Sequence, residues 1–380
     1  MRAANFPFFA EHPRADELRT EVRAFLDREI ADRKPAERAE TWTGADPDFS
    51  RKLGAQGWLG MTWPKQYGGH ERSGLERLVV IEELLAAGAP VAAHWIADRQ
   101  SGPSLLRFGT DEQRQRILPA IARGECYFCI GMSEPDAGSD LAAVRTRAVR
   151  EAGGYRINGT KLWTTNGHLA HYMILLARTG ASDEARHEGL SQFLVDLKTP
   201  GITVRPIHVP SGKHEFNEVH FDDALLPGDA LLGKEGNGWN QVMSELAHER
   251  SGPERFLSSF MLMSELARAS GPDMSEKAAE TLGRLSAHVA VLRLMSRSVA
   301  GQLSRGDDPS LQAVIVKDLG AVLEQEIPEI GRGIGDPAIK GDPDFQAVLT
   351  YLTLNAPSFS LRGGTREILR GIIARGLGLR

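Results

Sequence analysis

With 380 residues, 41% of them hydrophobic and 25% charged, the chain is long enough to bury a sizeable core and to divide into two or three domains. A formal charge of −5 leaves no net basic field for nucleic acid, and no apolar run approaches the roughly eighteen residues of a membrane span. Met1 to Glu11 lacks the apolar core of a secretory signal, so the expectation is a soluble protein of a reducing, bacterial-type cytoplasm.

Between Arg14 and Arg33, Leu18, Val22, Phe25, Leu26 and Ile30 recur at helical spacing among charges and predict an amphipathic helix. Gly57 to Gly69 is a turn-rich connection with Pro64, and Gly74 to Ala87 resumes a helix. Thr110 with Gln113 three residues on forms a capping box, opening a helix that Pro119 should end or kink. Residues 1–124 are thus expected to be a helical domain. From Cys126 the period changes to two, with strands expected at Tyr155 to Ile157, Tyr172 to Ala177, Ser191 to Val195, Ile202 to His208 and Glu215 to Phe221, so 125–233 reads as an antiparallel β domain. Asn158-Gly159 marks a tight hairpin in this reading. After the glycine-rich link Gly233 to Gly238, helical patterning returns over Trp239 to Ala269, Ser275 to Ser304, Leu311 to Ile330 and Phe345 to Leu379. The economical reading of 234–380 is a C-terminal helical bundle. The fold class expected is therefore α+β.

Two cysteines occur, Cys126 and Cys129, and their C-x-x-C spacing suggests a redox pair or half of a zinc site. No second pair completes a zinc site, and three residues of strand part the Cα atoms by roughly 10 Å, beyond disulfide reach. Buried structural thiols are the better reading, and His187 and His214 are too scattered for a metal site, so none is expected.

The stretch Cys126 to Gly167 concentrates turn chemistry and strand patterning. SEPDAGSD, Ser133 to Asp140, sets Pro135, Gly138, hydroxyls and acids between an apolar run and a polar one, where backbone N–H groups can meet a ligand. On turn signals alone a surface β meander fits equally well. Ser133 to Asp140, with Asn158-Gly159-Thr160-Lys161 and Trp163-Thr164-Thr165-Asn166-Gly167, closely resembles the two flavin-binding signatures of the acyl-CoA dehydrogenases. The helix, β, helix order extends that resemblance over essentially the whole chain, and it implies FAD. In the family the main chain at Met132 and the hydroxyl of Ser133 would hold the pyrimidine side of the flavin, with Gly138 in the same cofactor loop. Trp163 would cover one ring edge and Thr165 would bond near N5. Ser139 would meet the pantetheine or phosphate part of coenzyme A, with Arg250 also on the substrate side. Donors aimed at N1, C2=O and N5 stabilise charge that arrives with a hydride, and an indole supplies a flat apolar wall.

The chain departs from the family where the usual catalytic glutamate precedes a Gly-Thr pair. Here the pair is Gly364-Thr365, and the base position is Gly363, which has no side chain to accept a proton. The resemblance would leave its main-chain N–H to polarise the thioester carbonyl. The alternative base position used by some members matches Glu249. Read without the resemblance, a Glu-Arg step on a helix is more often a solvated face. Pro253 deprives the Glu249 carbonyl of its helical partner and should loosen or kink the helix there. Segments that in many members reach a neighbouring subunit's flavin are not recognisable between Gly271 and Ser304 or at Pro328 to Gly335. Thr365 and Glu367 remain candidates on the adenosine diphosphate side. His94, Trp95, Gln100 and Ser101 fall where the family lines its acyl cavity, although ordinary helix packing accounts for them as well.

The resemblance implies α,β-dehydrogenation of an acyl-CoA thioester, electrons passing to an electron-accepting flavoprotein, and a homo- or heterotetramer built on the C-terminal bundle. Two other readings remain open: a non-catalytic scaffold subunit beside a catalytic paralogue, which Gly363 would permit, and a flavin oxidase or monooxygenase on the same fold.

Overall fold

The structure is a computed structural model that describes residues 3–180 and 186–379, with the backbone alone at 245–249. By contacts the chain sorts into two units. One comprises residues 46–71 and 92–246, the other residues 1–45, 72–91 and 247–380.

The first unit carries the sheet: β1 (Phe128–Gly131), β2 (Arg147–Glu151), β3 (Gly154–Thr165), β4 (Tyr172–Arg178), β5 (Leu190–Asp196), β6 (Ile202–His208), β7 (His214–Pro227) and β8 (Leu231–Leu232). The strands run β6-β7-β3-β2-β4-β5-β8, with β1 also on β4. Both β1 and β2 pair parallel to β4, so the sheet is mixed rather than purely antiparallel. β4 is buried on both faces. Met173, Leu175 and Ala177 join Tyr155, Phe193 and Phe221 on one side, while Ile174 meets Leu194, Phe128 and the helical residues Leu105, Ile117 and Ile121 on the other. A strand covered on two sides reads as a continuous apolar run, as MILLA at 173–177 does.

Asn158-Gly159 is not the hairpin turn. β3 runs through it, and the chain reverses one turn earlier, at Ala152-Gly153 between β2 and β3. The pair forms a bulge where the β3–β7 register shifts, and Asn158 exchanges two hydrogen bonds of 2.9 Å with Asp223. A Cβ on Gly159 would stand 2.7 Å from the Thr146 Cα, so glycine serves close approach there.

In the second unit, helix Ala15–Glu29 buries Leu18, Val22, Phe25 and Leu26, and Arg23 bonds Glu83 of helix Gly74–Ala86 at 2.7 Å. The long helices Glu276–Ser304, Ser310–Arg332 and Pro343–Phe359 pack with Phe260–Ser270 and Arg366–Gly376. Three expectations about helix ends are corrected. Helix Asp111–Ala122 of the first unit runs on through Pro119, with the expected Thr110–Gln113 capping box at its start. Gly124 at φ 70 ends it one turn later. The helical patterning expected over Trp239 to Ala269, with a loosened or kinked point at Pro253, is resolved into Gly238–Glu249, a 3₁₀ turn Pro253–Arg255 and Phe260–Ser270. Pro253 therefore opens a new turn instead of kinking a continuing helix, in keeping with its preference for a first helical position. The 345–379 stretch is likewise broken at residues 360–365.

Gly320, buried in helix Ser310–Arg332, gives a test of packing against propensity. Helix propensity alone would make Gly320→Ala about 1 kcal/mol more stable. A Cβ there would lie 2.0 Å from the Arg255 carbonyl oxygen, so a net loss of about 1–3 kcal/mol is expected in urea denaturation. An alanine variant as stable as the parent would contradict this packing.

Candidate active site

In the sheet unit β1 ends at Gly131, and Met132 and Ser133 follow, half-buried. Glu134 and Ala137 exchange backbone hydrogen bonds of 2.8 and 3.1 Å, closing a turn around Pro135 and Asp136. Beneath it the Glu134 carboxylate accepts from Arg145 N–H at 2.6 Å, Thr146 N–H at 2.9 Å and Lys161 Nζ at 2.8 Å. Lys161 is fully buried and gives a second hydrogen bond, 3.0 Å, to the Met132 carbonyl. The next residue of β3, Leu162, donates its N–H to the Ser133 carbonyl at 2.9 Å. Burial pulls the Lys161 ammonium down to about 8 against the attraction of Glu134. Burial alone would raise the Glu134 carboxyl, but Lys161 and the surrounding donors bring it below its usual value.

Between Lys161 and Thr164 the β3–β7 register shifts again, and the residue thrown out is Trp163. Its indole is 58% exposed, its φ is 59°, and its ring meets Phe216 edge-on at 5.9 Å. A bulky residue at left-handed φ is strained by about 1–3 kcal/mol and persists only where its surroundings fix it. Here Leu162 is tied to Ser133 on one side, and on the other Asn217 Nδ2 donates to the Thr164 carbonyl at 3.0 Å. Thr165 lies half-buried beyond the bulge. Gly138 and Ser139 are exposed, and a Cβ on Gly138 would meet nothing within 4 Å. Met132, Ser133, Trp163 and Thr165 are thus brought to one end of β3.

In the other unit Arg250 is 6% exposed and donates from Nε to the Gly363 carbonyl at 3.0 Å. Gly363 and Gly364 have φ of 69° and 99°, between helices Pro343–Phe359 and Arg366–Gly376. The neighbouring Arg362 donates to Glu324 Oε2 at 2.8 Å, Ser258 Oγ at 2.7 Å and the Glu254 carbonyl at 3.0 Å. Its guanidinium also lies 4.1 Å from the centre of the Trp42 ring and 4.8 Å from that of Phe359. Thr365 is the N-cap residue of the last helix; hydrogen bonds from Glu367's own N–H and the Thr365 hydroxyl lower the Glu367 carboxyl. Glu249 ends helix Gly238–Glu249, and its side chain lies outside the described residues.

His94, Trp95, Gln100 and Ser101 are all buried, on helix Ala92–Ile96 and the π-helical turn Ala97–Ser101 that continues it. His94 Nδ1 and Ser50 Oγ share a 2.8 Å hydrogen bond, and the Arg99 guanidinium lies 5.5 Å from the Trp95 ring centre.

The acyl-CoA dehydrogenase N-terminal domain model matches residues 12–125, and the middle domain model matches residues 129–224. Acyl-CoA dehydrogenase FadE29 of Mycobacterium tuberculosis is 32% identical over 379 residues, covering 95% of this chain and 96% of the relative. Acyl-CoA dehydrogenase IpdE1 of the same organism is 34% identical over 382 residues, covering 96% and 97%. Among solved structures, the ChsE4-ChsE5 complex from M. tuberculosis matches with a TM-score of 0.83 and 30% identity, over 98% of this chain and 99% of that one. The Tcur3481-Tcur3483 steroid ACAD matches with a TM-score of 0.86 and 27% identity, over 98% and 99%. This chain belongs to the acyl-CoA dehydrogenase family. Its members are FAD-dependent oxidoreductases, and FAD is the cofactor.

The residues at the end of β3 fit such a group. An exposed indole at a strained φ, hydroxyls at Ser133 and Thr165 and open space at Gly138 are what a flat, acceptor-rich ring system requires. Glu134 and Lys161 had no role in the sequence reading, because charges in a turn-rich segment signal solvent. The one available hint was a lysine on a strand two residues before the indole.

No helix of the described residues is long and apolar enough to cross a membrane, and none of their side chains form a group of three or more metal-ligating residues. Both cysteines are buried free thiols. Burial pushes Cys126 up to about 12 and Cys129 up as well, which keeps both thiols protonated at neutral pH. The folded protein should take up no iodoacetamide at pH 8, and both thiols should react in guanidinium. Stoichiometric labelling of the folded protein would contradict the burial.

Proposed function

We propose that this chain catalyses α,β-dehydrogenation of an acyl-CoA thioester, with Glu249 as the base. What supports the reading is family membership together with Trp163, held out into solvent at a strained φ beside the strapped Met132-Ser133 segment. The Met132 main chain and the Ser133 hydroxyl would hold the pyrimidine side of FAD, Trp163 would cover a ring edge, Thr165 would donate near N5 and Gly138 would leave clearance. Ser139 meets coenzyme A, and Thr365 and Glu367 serve the adenosine diphosphate side. Bound FAD would supply the hydride acceptor for the substrate's β-carbon. Glu249 takes the α-proton, and desolvation against an apolar acyl chain raises its proton affinity toward working pH. The Gly363 N–H polarises the thioester carbonyl. Arg250 holds the Gly363 carbonyl and so keeps this glycine turn from drifting.

The active species contains a second chain of the same fold and passes electrons to a flavoprotein acceptor. Two structural relatives carry paired names, ChsE4-ChsE5 and Tcur3481-Tcur3483, which supports a heteromer. Gly363 favours a second reading, a scaffold subunit whose partner supplies the base, because nothing at that position accepts a proton.

Anaerobic bleaching of bound FAD by a panel of acyl-CoA thioesters, with and without candidate partner chains, tests both readings. Bleaching that disappears in Glu249→Gln, by roughly two to four decades in rate with FAD retained, is the expected outcome. An unchanged rate removes Glu249 as base, and bleaching confined to the partner's flavin establishes the scaffold. Gly363→Glu in the Glu249→Gln background should restore nothing, because φ at 363 is 69° and a side chain there costs about 1–2 kcal/mol before it is aimed. Trp163→Ala should weaken FAD binding about fivefold, for a lost stacking contribution of about 1 kcal/mol, with thermal stability unchanged. Unaltered affinity would move the flavin elsewhere.

A further inference from the structure

We propose that Lys161 is a positioning residue for the flavin, holding the Met132-Ser133 peptide group so that its N–H is aimed outward and strengthened as a donor. This rests on the reading that FAD lies against Met132 and Ser133. In a trans peptide the C=O and the following N–H point in opposite directions. Lys161 Nζ takes the Met132 carbonyl at 3.0 Å from the buried side, so the Ser133 N–H is directed away from the core, together with the half-buried Ser133 hydroxyl. The next peptide is fixed in the same way, its Ser133 carbonyl accepting from Leu162 N–H at 2.9 Å and its Glu134 N–H bonding the Ala137 carbonyl at 2.8 Å. Two consecutive peptide planes are therefore set by residues 161 and 162, immediately before the exposed Trp163. A cation on the oxygen of a peptide polarises its N–H, and a low-dielectric site makes that polarisation count.

The surroundings suit an electrostatic role. Glu134 is the charged group that acts on Lys161 among the described residues. Across the strand pair stands Val219 of β7, and Gly131 of β1 packs against the lysine's stem, where a Cβ would lie 3.3 Å from its Cγ. A plain structural tie would be served by a neutral donor. A buried ammonium that gives one hydrogen bond to its counter-ion and another to the peptide beside the flavin instead transmits charge to the cofactor, favouring the more electron-rich, reduced state.

The experiment measures the reduction potential and dissociation constant of bound FAD between pH 6 and 9 in the full chain. Lys161→Met should lower the potential and raise the FAD dissociation constant about tenfold or more, whereas Glu134→Gln, which leaves the Met132 contact, should not lower the potential. In the parent protein the potential should fall with an added bend near pH 8, where Lys161 loses its proton, and Lys161→Met should lack that bend. A structural role alone would lower thermal stability in both variants and move the potential in neither. Should Lys161→Met fail to fold, Lys161→Met with Glu134→Gln removes both charges at similar volume and should still show the lowered potential. An unchanged potential in either lysine variant, an equal drop in Glu134→Gln or a parent profile with no bend overturns the proposal. A parent protein that folds but takes up no FAD overturns the cofactor site itself.

Discussion

The sheet unit depends on one buried carboxylate. Glu134 follows a strand that ends at Gly131 and precedes one that starts at Arg147, so the segment between has no ladder to hold it. Its oxygens instead gather an ammonium and two backbone N–H groups. A buried ion pair is a weak source of net stability, since desolvation offsets most of the attraction. Breaking it from one side is a different matter, because the remaining charge stays buried at a cost of about 3–5 kcal/mol, a large share of a typical folding free energy. The pair therefore acts chiefly on specificity: a segment with turn composition is confined to one arrangement, and whatever faces Met132 and Ser133 meets fixed donors.

The helical unit solves the same problem with the same chemistry. The 250–259 connection and the 360–365 break are both irregular, and both are hung on Glu324 in the middle of helix Ser310–Arg332. One Glu324 oxygen accepts from the Ser258 N–H at 2.9 Å, the other from Arg362 at 2.8 Å, and its carbonyl accepts from Ser259 Oγ at 2.7 Å. Arg362 adds two aromatic faces, for which its planar guanidinium is better suited than an ammonium. Gly320 one turn earlier admits the Arg255 backbone at a distance no side chain would tolerate, which explains a glycine inside a long helix.

What could be read from the sequence follows from how each element is stabilised. Helix Ala15–Glu29 and strands β4 to β7 depend on apolar periodicity, and that pattern located them. β1 showed only as the strand-like run around Cys126 and Cys129, whereas β2 and β8 escaped because they are short, and β2 is exposed at four of its five positions, leaving no buried face to mark it. Asn158-Gly159 was misread since a bulge and a tight turn draw on the same residues; only the long-range partner Asp223 separates them. The site residues came from motif resemblance, while Glu134, Lys161, Glu324 and Arg362 remained silent. Pairing between residues 27 or 38 positions apart leaves no local signature, and an unpaired charge in a sequence reads as solvent-facing.

Both candidate regions place backbone in the left-handed range, but by different means. At Trp163 the outlier is a bulky residue, and it is pinned on both sides, by Leu162 N–H donating to the Ser133 carbonyl and by the Asn217 amide donating to the Thr164 carbonyl, so the strain cannot relax without dismantling sheet contacts. At Gly363 and Gly364 the left-handed values cost little, and the turn would be free to wander were it not held from outside by Arg250 and tied down by its own Arg362, which reaches Glu254, Ser258 and Glu324. The first arrangement is rigid because of the sheet, the second because of two arginines on separate segments. A substitution that loosens either arginine would therefore alter the glycine turn while leaving every helix intact, whereas the indole can be displaced only by changes that also disturb β3. Precision around Trp163 is thus a property of the fold, and precision at the glycine turn is a property of a few side chains.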